Sequence, residues 1–320
     1  MKVSIISRTC KRPNLWKRAL ASIELQTHKD WEVLIFDDGA TIENFEIYLN
    51  FKKRNSDKRI MYVTTKEAYD MFRNSWLYSP KLSNGDIMIR LDDDDMLTED
   101  ALEYVVKAYE KNPQLDFTYG TTVTNEDGEL GSLIEGCSPF EATPSRDAWA
   151  PYTIPNNKPW HDPWCWYRDY YATPRHYTSI IHAAKVNFLC IYHLYTMRTD
   201  SVRKVVDKMT VQSKFVDDLE FLGTLDYLGL SHAPLKKVLL YYGIHKQGKV
   251  SDPYVVVDNI GMYDENFKIR DKVDHSRPDG FYSRVINLDI ENNKNNGVDD
   301  ELKKTFKIFN SKIDEQIKGL

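Results

Sequence analysis

Four consecutive carboxylates, Asp92 to Asp95, follow the short run Ile87 to Leu91. Crowding four like charges gains nothing for folding, and a divalent cation removes the repulsion. Oxygen ligands of this hardness suit Mn²⁺ or Mg²⁺, and Mg²⁺ takes one or two carboxylates together with substrate phosphates. A solvated acidic turn is the plainer reading of the same four residues. The chain carries neither GxGxxG nor GxxxxGK[ST], the two common backbone cradles for a diphosphate. A diphosphate bound here would therefore need a cation, and the position of the acidic run after a strand favours a metal.

A second acidic pair, Asp37-Asp38, precedes Gly39, where a simple turn is the alternative. A third, Asp217-Asp218, sits in Phe215 to Phe221, where carboxylates also suit a helix N-terminus. His245 lies between Tyr241 and Ser251 with Lys246 and Lys249 beside it. A lone histidine is more often structural than functional. Four of the seven tryptophans fall between Trp149 and Trp166, among tyrosines, arginines and histidines. Aromatic faces stack on sugar rings and on nucleobases alike. Trp160, Trp164, Trp166 and Tyr167 are thus candidates for an acceptor platform, against a small satellite core under long loops.

The elements that position these groups alternate. Lys2–Ser7, Glu32–Phe36, Arg59–Val63 and Asp86–Leu91 read as strands. Leu15–Gln26, Thr41–Arg54 and Ala68–Tyr78 read as helices. Ile42, Phe45 and Leu49 fall at helical spacing in the second helix. Thr98 reads as the cap of a fourth helix ending near Asn112, with Leu102, Val105, Val106 and Tyr109 as its buried stripe. This alternation predicts a mostly parallel sheet covered by helices on both faces. Ligands bind such sheets at the carboxyl ends of the strands. Ser7, Arg8 and Thr9, then Asp37 and Asp38, then Asp92 to Asp95 all fall at such ends.

After about Asp116 the pattern changes. Asn125 to Gly128 reads as a hairpin turn between Phe117–Val123 and Gly131–Ile134. Leu189–Met197 and Leu239–Ile244 read as strands. Thr199–Met209 and Val216–Leu228 read as helices. A last amphipathic helix carries Leu302, Phe306, Phe309, Ile313 and Ile317, and is expected to pack on its own domain.

The 320 residues carry 42% hydrophobic and 28% charged side chains, as a folded globular chain does. The net charge of −5 excludes a whole-chain basic field for nucleic acid. Cys10, Cys137, Cys165 and Cys190 show no metal-binding spacing and read as reduced thiols, which predicts a cytoplasmic protein. The start does not read as a signal peptide, and no transmembrane segment is expected.

Three stretches carry a family resemblance. They are Val3 to Asn14 with Leu20 to Thr27, Trp31 to Gly39, and Arg73-Asn74 with Asn84 to Asp95. Together they resemble the opening of family 2 glycosyltransferases and its run into the DxD motif. The resemblance implies a GT-A fold: a Rossmann-like, mostly parallel α/β sheet with a smaller mixed acceptor-side sheet and, here, a C-terminal helical extension. It implies a donor-binding half at 1–115, an acceptor and catalytic half at 116–255, and an extension at 256–320. Ser7, Arg8, Thr9 and Arg12 would line the base pocket, with Asp37, Asp38 and Arg73 also on the donor. Asp92 or Asp93 would contact the ribose. Asp94 would hold the metal and diphosphate, with Asp92 and His245 as further candidate ligands and Lys249 as added positive charge. Phe215 to Phe221 resembles the family's acidic pair, whose second member, here Asp218 beside Asp217, is the catalytic base. Gly243 stands where the family pattern carries Arg. The function implied is inverting transfer from a nucleotide-diphosphate sugar, UDP by family habit, to a hydroxyl acceptor. A glycan is the default acceptor and a modified nucleic-acid base the minority one. A nucleotidyltransferase and a silent nucleotide-sugar or glycan-binding protein are the alternatives.

Overall fold

The computed structural model describes residues 1–65, 71–134, 194–208, 225, 228–245, 284–286, 288–291 and 297–320. Among them, strand and helix alternate at the start. β1 (Val3–Thr9), β2 (Trp31–Asp38), β3 (Ile60–Thr65) and β4 (Ile87–Asp92) run parallel in the order β3-β2-β1-β4. All seven residues of β1 are buried, as expected of a strand with partners on both edges and helices on both faces.

The intervening helices are α1 (Pro13–Glu24), α2 (Ile42–Arg54) and α3 (Met71–Leu82). Pro13 opens α1, where its missing N–H costs nothing. Thr41 Oγ1 accepts from Asn44 N at 3.1 Å and caps α2. The face of α2 differs from the expected one. Ile42, Phe45 and Leu49 are exposed, while Asn44, Ile47 and Phe51 are buried. A polar anchor decides this: Asn44 Nδ2 donates to the buried Asp37 Oδ1 at 3.1 Å, which turns the helix toward β2.

α4 (Ala101–Lys111) buries the predicted Leu102, Val105, Val106 and Tyr109. Its N-cap is Asp100, not Thr98. Thr98 is held back by β5 (Met96–Leu97) and by its own N–H, which donates to Leu239 O at 3.0 Å.

The second half extends the same sheet. β8 (Tyr195–Arg198) lies antiparallel to both β4 and β6 (Phe117–Glu126). β6 then pairs in parallel with β9 (Ser231–Ile244), and β9 with β10 (Arg284–Val285). The mixed part is therefore continuous with the parallel part. β7 (Glu129–Ile134) closes the hairpin predicted at Asn125 to Gly128. Asp127 and Gly128 have φ of 51° and 93°, the positive pair that a two-residue type I′ turn requires. α5 (Thr199–Val206) follows β8. β9 begins eight residues before the expected Leu239. Pro234 hides its first half from a strand reading, and the β6–β9 register shifts just beyond it, between Gly120 and Thr122.

α6 (Asp300–Ile317) is the final helix, capped by Asp299, whose side chain accepts from Leu302 N at 2.8 Å. It buries Phe306, Phe309 and Ile313. Phe306 and Phe309 lie 4.7 and 5.3 Å from the ring of Tyr241 on β9. Arg18 of α1 reaches Asp314 at 2.8 Å. The helix thus packs on its own domain. Among the described residues, no helix is long and apolar enough to cross a membrane.

His232, near the start of β9, stacks on Phe117 at 4.9 Å and meets Tyr119 Oη at 3.3 Å through Nδ1. Burial lowers its pKa to about 4. The unfolded chain takes up this proton near pH 6.5, whereas the fold resists it until about pH 4. Stability is therefore expected to fall as pH drops across that window, by up to about 3 kcal/mol. Urea denaturation from pH 7 to pH 4 checks this: His232→Phe should flatten the slope, and an unchanged slope would assign the acid sensitivity elsewhere.

Candidate active site

The strand order reverses between β1 and β4, and the crevice over their carboxyl ends is where an open α/β sheet binds ligands. Side chains there divide by strand parity. Ser7 faces α1, its Oγ accepting from Trp16 Nε1 at 3.0 Å. Asp37 lies toward α2, accepting from Asn44 and from Tyr62 Oη. Burial raises the Asp37 pKa against those two bonds. Asp38 is buried and continues the opposite parity, that of Leu34 and Phe36, which pack with Val205 and Leu77 toward α3 and α5. Arg73 lies in the first turn of α3.

Arg8 stands opposite Asp92 in the β1–β4 register. Its Nε donates to Asp92 Oδ1 at 2.9 Å and its Nη2 to Oδ2 at 3.2 Å. Arg90, two residues earlier on β4, donates to the same oxygens at 3.3 and 3.0 Å. Both arginines are only 5% exposed. Burial alone would raise the Asp92 pKa, but the two guanidiniums hold it well below the carboxylate range. Arg90 also lies over the Tyr195 ring at 5.5 Å. The sequence reading missed Arg90. Its signal was available: it is the one charge inside the run Ile87 to Leu91.

Asp93 turns inward. Its Oδ2 accepts from Thr9 Oγ1 at 3.0 Å, from Cys10 N at 3.2 Å and from Arg12 Nε at 3.1 Å. Burial pushes its pKa up to about 7, with Arg12 pulling the other way. Asp95 is buried as well and accepts from Gly243 N at 3.0 Å. Burial and the charges of Asp94 and Asp92 drive its pKa well above the carboxylate range. The third aspartate is different. Asp94 lies at the mouth, where Oδ2 meets Arg12 Nη1 at 2.7 Å and His245 Nε2 at 3.0 Å. Residues 12, 94 and 245 thus meet at one point.

Among the described residues, no group of three or more His, Cys, Asp and Glu side chains is arranged to hold a metal ion. Two protein ligands suffice where substrate phosphates supply others. Neighbouring positions around Mg²⁺, with bonds of about 2.1 Å at right angles, lie roughly 3.0 Å apart. The Asp94 Oδ2–His245 Nε2 separation of 3.0 Å fits that span. Asp92 does not point there; its oxygens are turned to Arg8 and Arg90. Asp217, Asp218, Lys249, Trp160, Trp164, Trp166 and Tyr167 lie outside the described residues.

A sequence profile described as Glycosyl transferase family 2 matches residues 4–162. An uncharacterized glycosyltransferase of Rickettsia conorii is 35% identical over 135 residues, which are 42% of this chain and 21% of the relative. The GalNAc(5)-diNAcBac-PP-undecaprenol beta-1,3-glucosyltransferase of Campylobacter jejuni is 28% identical over 138 residues, 42% of each chain. This chain therefore spans about a fifth of the Rickettsia relative's length and less than half of the Campylobacter one's. Among solved structures, S. aureus TarS 1–349 in complex with UDP-GlcNAc superposes with a TM-score of 0.51 at 15% identity, covering 82% of this chain and 66% of that one. That likeness concerns the fold, which is of the GT-A type. With the strand-end site and the matched N-terminal half together, the chain belongs to glycosyltransferase family 2.

Proposed function

We propose that the protein is an inverting, metal-dependent glycosyltransferase that moves a sugar from a nucleotide-diphosphate sugar to a hydroxyl acceptor. The observation that carries this reading is the Asp94–His245 pair, 3.0 Å apart at the mouth of the crevice between β1 and β4. Those two side chains would hold the cation, Mn²⁺ or Mg²⁺, alongside the donor phosphates. The cation, when bound, neutralises charge on the leaving diphosphate. Asp38 takes the nucleobase or ribose on the α3 side, with Asp37 behind it fixed by Asn44 and Tyr62. Arg73 and Lys249 add positive charge toward the donor. Asp218, assisted by Asp217, removes the acceptor proton as its oxygen attacks the anomeric carbon opposite the diphosphate.

UDP is the donor nucleotide of choice, by family habit and by the UDP-GlcNAc held in TarS. The acceptor is a glycan, received on Trp160, Trp164, Trp166 and Tyr167. Residues 1–115 form the donor half, 116–255 the acceptor half and 256–320 an extension.

Calorimetric titration of UDP with and without Mn²⁺ tests this reading. Binding should require the metal, and equal binding in chelator removes Asp94 and His245 from the metal role. Asp218→Asn should leave the titration unchanged, because a base acts on the acceptor. A weakened titration would move Asp218 into the donor site. A panel of nucleotide sugars, read by metal-dependent hydrolysis, then identifies the donor.

A further inference from the structure

Arg12 Nη1, Asp94 Oδ2 and His245 Nε2 form a closed triangle with sides of 2.7, 3.0 and 3.1 Å. The guanidinium only donates and an ionised carboxylate only accepts. The imidazole nitrogen does one or the other. If Nε2 carries a proton, it donates to Asp94 but faces the Arg12 donor. If it carries a lone pair, it accepts from Arg12 but faces the Asp94 lone pairs. In either tautomer one side of the triangle is repulsive, although the three atoms are partly buried at one point. The arrangement is satisfied by something else: a cation without hydrogens, to which Oδ2 and Nε2 both present lone pairs.

We propose that Arg12 is a built-in counter-cation of the acidic turn, and that it competes with the divalent ion for the Asp94–His245 pair. This rests on the metal-assisted reading above and adds a residue-level consequence to it. Arg12 does not leave the turn when it yields Asp94, because its Nε and Nη2 hold Asp93 independently. Only the Nη1 arm is exchanged. That arm then lies beside the phosphates that accompany the ion, where a guanidinium binds well. Metal alone is opposed by Arg12, whereas metal with a nucleoside diphosphate is assisted by it. The protein therefore selects the loaded donor over the bare ion.

Mn²⁺ binding, followed by the electron paramagnetic resonance of the free ion, reads this without turnover. Arg12→Gln is expected to bind Mn²⁺ alone about tenfold more tightly than the wild type, a change of ~1.4 kcal/mol. UDP should strengthen Mn²⁺ binding by a smaller factor in the variant than in the wild type. Should Arg12→Gln fail to fold with Asp93 unpaired, Arg12→Lys keeps a cation on Asp93 and shortens the arm. It is expected to gain about threefold. Unchanged or weaker Mn²⁺ binding in the variants, with UDP-assisted binding intact in the wild type, overturns the competition and leaves the metal site standing. Absence of Mn²⁺ binding from wild type and variants alike, even with UDP, overturns both.

Discussion

Gly243→Ala is expected to lower kcat/KM by about 100-fold while the chain still folds. A Cβ at position 243 would stand 2.1 Å from the carbonyl oxygen of Asp94, 3.0 Å from its carbonyl carbon and 3.2 Å from its Cβ. Two of those three atoms are backbone, so no side-chain rotation relieves the clash. β9 cannot retreat. It is paired to β6 through Asn125 opposite Gly243, and to β5 through Met96 opposite Tyr241. The acidic turn must yield instead. A forced fit of this kind costs about 1–3 kcal/mol, within what a domain of this size tolerates. Function is more sensitive. The same movement carries Asp94 off His245 and breaks the bond from Gly243 N to Asp95. A displacement of roughly 1 Å at a reacting centre is worth about two orders of magnitude. Steady-state rates with the identified donor, read beside a thermal melt, decide the matter. Wild-type kinetics in a folded variant would mean that the position of Asp94 is immaterial. Gly243 thereby acquires a physical reason: the strand and the acidic turn approach too closely for any side chain.

What was legible in the sequence was local. The apolar runs of β1 to β4, the Asp127-Gly128 turn and the stripes of α4 and α6 are all written within a few residues of themselves. The placement of the acidic run at a strand end was legible for the same reason. What was hidden depends on partners far along the chain. The face of α2 follows from Asn44 reaching Asp37, an interaction that outweighs the apolar spacing of Ile42, Phe45 and Leu49. The first half of β9 is masked by Pro234, which is admitted next to a register shift that only the β6 pairing creates. The site itself divides in the same way. Crowding among Asp92 to Asp95 suggested a single cation as the remedy. Within the fold, Arg8 and Arg90 settle Asp92, Arg12 and Thr9 settle Asp93, and only Asp94 meets His245 at the mouth. No spacing rule predicts that residues 12, 94 and 245 share one point.

This division of labour makes the four aspartates separable by experiment, and Asp92→Asn is the sharpest case. Its expected effect is a loss of stability of roughly 4 kcal/mol at pH 7, the scale for removing one partner of a buried ion pair. The reason is asymmetry. Asp92 is the shared counter-ion of two arginines, each 5% exposed. Asparagine keeps one acceptor oxygen but no charge, so two guanidiniums are left facing each other in a crevice with poor access to water. Asp94→Asn provides the contrast. Asp94 and Asp92 are similarly exposed, at 17% and 15%, but the Arg12 that Asp94 releases remains paired to Asp93. Its loss should cost clearly less than that of Asp92, about 1–2 kcal/mol, because no buried guanidinium is left without a counter-ion. Urea denaturation of both variants compares the two directly. If they lose stability equally, Asp92 is not the keystone of the arginine pair, and all four carboxylates act as one diffuse charge. If Asp92→Asn alone collapses, the first aspartate of the run builds the crevice, and the third is free to meet the ligand.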